Sequence, residues 1–453
     1  MSRRRGPSQL MDLFLSVADA LGFATDGDLA RLADVTPDNV PNWRGGAVKE
    51  FKLQTLAAVK RALEAQIRGL AQRAASARDA HKDGLHPIVI EAGASPDDLL
   101  RQFRDRVGFD YLGHRFLYYE PQGALAWMSL IQDGYEQDAW VRGTRAAATA
   151  WLDPAKDRHG RVASPLARAL GVDRKGALKG IDVIGLGCGD GAKEAAVLEQ
   201  ILALAGDRHL EWLHYVPVDV SIPLLVRAAT RGAEAIASAA PADAGVRYAQ
   251  QPVCADFEEG DLRFMRWLPT ATRPVEDGAR LILLLGNTFG NLRDEERFIR
   301  QRLWRVTRPG DLVWLEVGLV LEPIALDPLF RLTEPKNAET ASEASRRMLL
   351  QGPFRRWEAA MGRAPADLGL RVWLRSDDAS CQVPGAVNFC HDLILPEQGR
   401  VCTMLYSRRY RLDHLTTWLE ERELAVERVH TVHDGRRHAR VAHLLLRRKA
   451  RSE

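Results

Sequence analysis

The sequence predicts an α/β domain built on a mostly parallel, Rossmann-like sheet of seven strands, preceded by a small all-α unit. Three observations carry this. Apolar, strand-like runs beginning at Ile181 and spanning 212–221, 280–291 and 312–319 alternate with segments of helical periodicity. The first run empties into a glycine-rich turn, GLGCGDGA (185–192). Two further strand-like runs, VERVHTV and VAHLLLRRK, flank the turn pair Asp434-Gly435, a hairpin that places one antiparallel member in the sheet.

Length and composition set the frame. A chain of 453 residues has room for two or three domains, and 46% apolar with 27% charged residues are ordinary globular values. No apolar run approaches the roughly 18 residues of a membrane span. Arg3, Arg4 and Arg5 imitate the basic start of a signal peptide, but Asp12 and Asp19 interrupt the apolar stretch and no small-residue cleavage site follows. A cytoplasmic protein with no membrane association is expected. Cys188, Cys254, Cys381, Cys390 and Cys402 form no CxxC pair, which argues against a disulfide framework and against a structural metal site. A net charge of +3 is too small for the whole molecule to act as a polyanion binder.

Leu10, Phe14, Val17 and Leu21 recur at helical spacing, as do Leu53, Leu56, Leu63 and Ile67. Between them, DGDLARLADVTPDNVPNWRGG (26–46) reads as a helix, a turn at Asp34 and a second helix with Thr36 as N-cap and Pro37 at its first position. Residues 1–75 thus resemble the helix-turn-helix unit of phage-repressor-like proteins. Such a unit enters a DNA groove, docks to protein, or only packs. Pro41 lacks a backbone donor where a recognition helix needs one, and the second helix carries only Arg44 against Asp38, which weakens the DNA reading. An Ala/Arg-rich helical stretch at about 64–82 links this unit to the rest, and 76–150 is a helical linker and possible substrate-binding segment. Phe109, Tyr111, Phe116, Tyr118, Tyr119 and Trp127 cluster there, as core or as pocket.

The chemistry is carried by the strand ends. Gly187 and Gly189 let the backbone approach a ligand, and the helix that follows, stopped by Gly206, offers free N–H groups. The run WLHYVPVDVS ends on Asp219, whose carboxylate can accept both hydroxyls of a ribose. In VCADFEE, Asp256 can accept from an adenine amino group while Phe257 covers the ring. LLLGNTFGN ends in a polar, glycine-bearing tip, and after a helix at about 294–306 the turn RPGD feeds the fifth strand.

YVPVDVS, VCADFEE, LLLGNTFGN and RPGD, in this order and spacing, resemble the histidine-specific methyltransferase family within the class I methyltransferase fold. The resemblance implies S-adenosylmethionine (SAM) as cofactor and a small-molecule amine as acceptor. It places Gly187 and Lys193 at the methionyl end, Asp219 at the ribose, Asp256 and Phe257 at the adenine, and Gly286 at the cofactor's border. Asn291 matches the asparagine that holds the acceptor's amino-acid backbone. Ser407 matches a serine that reads imidazole, but the glutamate two residues before it in the family is here Leu405, which argues against histidine. Gly185 stands where an acidic residue usually precedes the glycine turn. The expected organisation is a SAM-binding domain at 151–320, an insertion contributing to the substrate site at 321–410, and the rest of the sheet at 411–453. No catalytic base is identified, and no metal is required.

Three functions remain open at this point: an enzyme methylating a small amino-acid-like amine, a methyltransferase acting on protein or nucleic acid, and a DNA-binding regulator whose SAM-like domain senses a ligand. Absence of an [ND]PP[YF] motif after the fourth strand counts against a nucleobase amine.

Overall fold

A computed structural model describes residues 88–91, 93–95, 98–99, 101–103, 111–119, 121–132, 140–152, 180–205, 210–239, 246–266, 268, 278–320, 369–375, 381–395, 400–433 and 439–449. The chain divides between Leu85 and His86 into two units. The helix-turn-helix expected over 26–46, Phe109 and the turn Asp434-Gly435 lie outside the described residues.

Before the main sheet come a two-residue strand β1 (Val89–Ile90) and the helices α1 (Arg115–Tyr118), α2 (Pro121–Gln132) and α3 (Arg142–Leu152). The chain then runs through β2 (Gly180–Leu186), α4 (Ala192–Ala205), β3 (Trp212–Asp219), α5 (Ile222–Ala239), β4 (Arg247–Gln250), β5 (Val253–Cys254), β6 (Ala279–Leu284) and β7 (Leu312–Gly318). Between β6 and β7 lies α6 (Glu295–Phe298), capped by Asp294, whose side chain accepts from the Arg297 N–H at 2.8 Å; a π-helical turn (Ile299–Leu303) and a last helical turn (Trp304–Val306) extend it. The expected helix at 294–306 is therefore present but carries a local bulge. After the insertion strands β8 (Gly369–Arg375), β9 (Val387–Leu395) and β10 (Arg400–Arg409) come α7 (Leu412–Glu420), β11 (Leu424–His433) and β12 (Ala439–Arg448).

The large sheet has the order β1-β5-β3-β2-β6-β7-β12-β11, with β4 also paired to β3. Its described pairings are parallel except those of β12, which runs antiparallel to both β7 and β11. The strand order reverses at β2, so a crevice opens at the carboxyl ends of β2 and β6. Nine strands replace the expected seven for two local reasons. Gln250 faces Tyr215 and Val253 faces Val218 in one continuous register, so β4 and β5 are a single ladder interrupted at Pro252, which has no N–H to give. β1 is an edge addition, held by the Val89 N–H donating to the Pro252 carbonyl at 3.0 Å.

Strands β2, β3 and β7 are buried along their whole length because helices cover both faces, which explains their continuous apolar runs. Alternate residues feed two cores. Ile181, Val183, Leu213, Leu281 and Trp314 pack with Val197, Leu198 and Ile201 of α4 and Trp151 of α3. Ile184, Leu186, Val216, Ile282 and Leu315 pack with Phe298, Ile299, Leu415 and Trp418 on the opposite face. The insertion forms its own antiparallel sheet, β10-β9-β8, which the sequence reading left without secondary structure. No described helix is long and apolar enough to cross a membrane.

Candidate functional site

A cleft lies over the carboxyl ends of β2, β3, β5 and β6. Its floor is the turn between β2 and α4. The N–H groups of Gly187 and Cys188 both donate to the Val218 carbonyl, at 2.8 and 3.1 Å, which ties the turn to β3. Gly187 has φ +68°, and a Cβ there would stand 3.0 Å from Cε1 of Phe257 and 3.1 Å from Cγ2 of Thr288. Only glycine leaves this floor open and adopts the turn without strain. Asp190 fixes the start of α4, accepting from the Ala192 N–H at 3.2 Å and pairing with Arg231 at 2.7 Å.

Asp219, at the tip of β3, is only 7% exposed. Its two oxygens accept from the N–H groups of Gly189 and Ser221, each at 3.0 Å. Burial raises its carboxyl to about 6, although those N–H groups and that of Val220 hold it down. Asp256, in the loop after β5, accepts from the N–H groups of Glu258 and Glu259 at 3.0 and 3.1 Å and is ion-paired with Arg115. Arg115 also reaches Glu259 at 2.9 Å. His114 beside it lines the cavity, and burial lowers it to about 4, so its ring is neutral near pH 7.

At the end of β6, the Gly286 N–H donates to Oε2 of Glu316, a fully buried carboxylate on β7 whose Oε1 accepts from the Thr144 hydroxyl of α3 at 3.0 Å. The cavity rim is thereby tied to the helix preceding the sheet. Asn287 holds φ +60°. Its Oδ1 accepts from the Gly318 N–H at 2.9 Å, which directs Nδ2 toward Oδ1 of Asn291 at 3.3 Å. From the insertion, the buried Arg408 donates to the carbonyls of Leu292 and Arg293, the latter at 2.9 Å, and faces Glu295 at 3.4 Å. The loop just beyond Asn291 is thus gripped from β10.

Gly187, Gly189, Lys193, Asp219, Asp256, Phe257, Gly286 and Asn291 all line this one cavity. Ser407 is not among its lining residues. It sits buried on β10, its hydroxyl accepting from Arg409 at 3.0 Å. Leu405, Tyr118 and Trp127 each pack against the apolar cluster of Phe103, Leu112 and Phe116, and Tyr118 and Trp127 also line the cavity. The aromatic segment therefore serves both expected roles: Phe116 and Tyr119 are core, while Tyr118 and Trp127 form wall. The space over Gly185 is taken by Glu194 of α4, whose Cγ would be 3.0 Å from an added Cβ; burial raises this carboxyl to about 8. His114, Arg115, Glu316 and Arg408 had no signal in the spacing of motifs. Among the described residues, no group of three or more His, Cys, Asp or Glu is placed to hold a metal ion.

Residues 164–328 match the family model for the histidine-specific, SAM-dependent methyltransferases. Over this segment the chain is a SAM-dependent methyltransferase. No curated protein matches the chain by sequence. Among solved structures, the methyltransferase is similar to the CcbJ methyltransferase from Streptomyces caelestis at 16% identity, covering 69% of this chain and 100% of that one, with a TM-score of 0.29. It is similar to the glycopeptide N-methyltransferase MtfA complexed with sinefungin at 14% identity, covering 63% and 84%, with a TM-score of 0.28. A third is the 1,6-didemethyltoxoflavin-N1-methyltransferase of Burkholderia thailandensis, at 12% identity, 72% and 89% coverage, and a TM-score of 0.28.

The cavity fits the cofactor on two features of the chain itself: the glycine floor that a Cβ would fill, and buried guanidinium N–H groups of Arg115 that have no partner among the described residues.

Proposed function

We propose that the methyltransferase N-methylates a small amino-acid-like amine other than histidine. In this reading Gly187, Gly189 and Lys193 hold the methionyl end of SAM, Asp219 the ribose, and Asp256 and Phe257 the adenine. Gly286 borders the cofactor, and Asn291 holds the acceptor's amino-acid backbone. The observation that carries it is the convergence of these residues, drawn from four separate strand ends, on one cavity that also contains Asn291. Ser407 is left out of the assignment because its hydroxyl is turned to Arg409.

When bound, SAM supplies a methyl group on an electrophilic sulfonium. The protein's part is to bring an amine lone pair in line with it, and positioning of this kind supplies much of the rate. The α-amine of a free amino acid, kept more basic by its carboxylate than the α-amino terminus of a chain, is mostly protonated at neutral pH and must lose a proton before its lone pair can attack. The aromatic wall of Tyr118 and Trp127 excludes water and favours an acceptor with an apolar side chain.

Titration calorimetry tests the cofactor assignment: SAM and S-adenosylhomocysteine (SAH) bind and NAD does not, and tight NAD binding without SAM binding would overturn it. Turnover of SAM to SAH across a panel of amino acids and amines then tests the acceptor class. The Asp219 carboxyl adds a pH dependence. Its protonated form loses the acceptor capacity that two ribose hydroxyls require, so SAH binding should weaken as pH falls through about 6. At pH 5 the dissociation constant should be about tenfold above its value at pH 7, as expected for one linked proton. A flat profile between these pH values would remove Asp219 from the ribose.

A further inference from the structure

We infer that Arg115 reads the adenine ring of the cofactor, donating to a ring nitrogen that flanks the 6-amino group while Asp256 accepts from that amino group. The inference rests on the SAM reading above and adds a residue that no motif pointed to, contributed by the segment preceding the sheet.

Arg115 lines the cavity and is 6% exposed. It spends one nitrogen, Nη1, on both Asp256 and Glu259. Nε and Nη2 are buried and have no hydrogen-bond partner among the described residues. These two N–H groups share one edge of the planar guanidinium and form a donor fork. A buried donor left unmade is costly, so the fork is a place where a ligand acceptor gains most. Asp256 supplies the complementary half. Its Oδ1 is filled by the N–H groups of Glu258 and Glu259, whereas its Oδ2 takes Arg115 and keeps capacity for one further donor.

The guanidinium and the carboxylate are thus held against each other by their own ion pair. Adenine presents the matching pattern, a donor amino group beside the acceptors N1 and N7, on either of its two outer edges. Phe257, next to Asp256, lines the same part of the cavity. Asp256 and Arg115 together therefore form a reader of the base, and the ion pair fixes both partners before the ligand arrives, which lowers the ordering cost of binding.

The test is calorimetric binding of SAH and its 1-deaza, 7-deaza and 3-deaza analogues to the wild-type protein and to Arg115→Lys, which keeps the positive charge beside Asp256 and Glu259 but removes the fork. For the wild type, one of the 1-deaza and 7-deaza analogues should bind about 10- to 100-fold more weakly than SAH, the range for a hydrogen bond from a charged donor. The 3-deaza analogue should bind as SAH does. In Arg115→Lys, SAH should fall to the affinity of the weakened analogue, whose own affinity should not change. Equal binding of all four ligands by the wild type, or an equal loss for every ligand in the variant, would show that Arg115 only braces Asp256. Failure of the wild type to bind SAH at all would instead remove the cofactor reading and this inference with it.

Discussion

Asp219→Ala is expected to weaken SAH binding by about 10²- to 10⁴-fold, because two hydrogen bonds to a charged acceptor are lost and each is worth roughly 1.5 to 3 kcal/mol. The fold should survive. Asp219 sits at a strand tip, not within the ladder, and its carboxyl is raised to about 6 in the folded protein. A folded-state value above the ordinary range near 3.9 means that the ionised carboxylate is disfavoured by folding, and that this cost grows as pH rises from about 4 to 6. Removing the group relieves that cost while freeing the N–H groups of Gly189 and Ser221. The two effects oppose, so the thermal midpoint at pH 7 should move little. An unchanged dissociation constant in a folded variant would show that the carboxylate serves only those two backbone groups.

The second large effect concerns discrimination against histidine. An imidazole placed in a closed pocket needs a partner for its N–H, and leaving such a group unpaired can reach a factor of about 10⁴ in specificity. In the resemblance Leu405 stands where the family carries a glutamate; it packs against the apolar cluster of Phe103, Leu112 and Phe116, and the Ser407 hydroxyl accepts from Arg409. With labelled SAM and each standard amino acid in turn, histidine should be methylated no better than the amino acids as a group. Robust methylation of histidine above all others would overturn the reading of Leu405.

The sheet was legible because its central strands are buried on both faces and so read as uninterrupted apolar runs, and because the Gly187 turn and the carboxylate tip at Asp219 mark strand ends. The count of strands was not. A single proline, Pro252, splits one ladder in two, and nothing in the run RYAQQPVC indicates that the register continues across it. The insertion's sheet was missed because its ladder forms among its own strands, in the order β10-β9-β8, with a bridge from Thr403 to Tyr111 outside it. The residues expected at the cofactor line one cavity, and they were readable from the chain one by one because those side chains leave it at or just after strand ends. Arg115, Glu316 and Arg408 were not: each acts across the fold, on residues more than a hundred positions away or on the opposite strand, and a charged residue in isolation gives no sign of the partner it will be buried against. Glu194 makes the same point in reverse. The missing acid at Gly185 is legible, but the carboxyl that fills its space comes from the next helix.

The grip of Arg408 on the Leu292 and Arg293 carbonyls, with Tyr410 donating to Glu295 at 2.9 Å, has a bearing on which segments of the chain can be exchanged separately. The insertion is not a detachable cassette. A chimera that imports a foreign insertion without its matching 287–295 loop would leave two carbonyls without their donor and Glu295 without its counter-ion, and breaking such a buried pair costs about 3 to 5 kcal/mol. Transplants should therefore fold only when both pieces travel together.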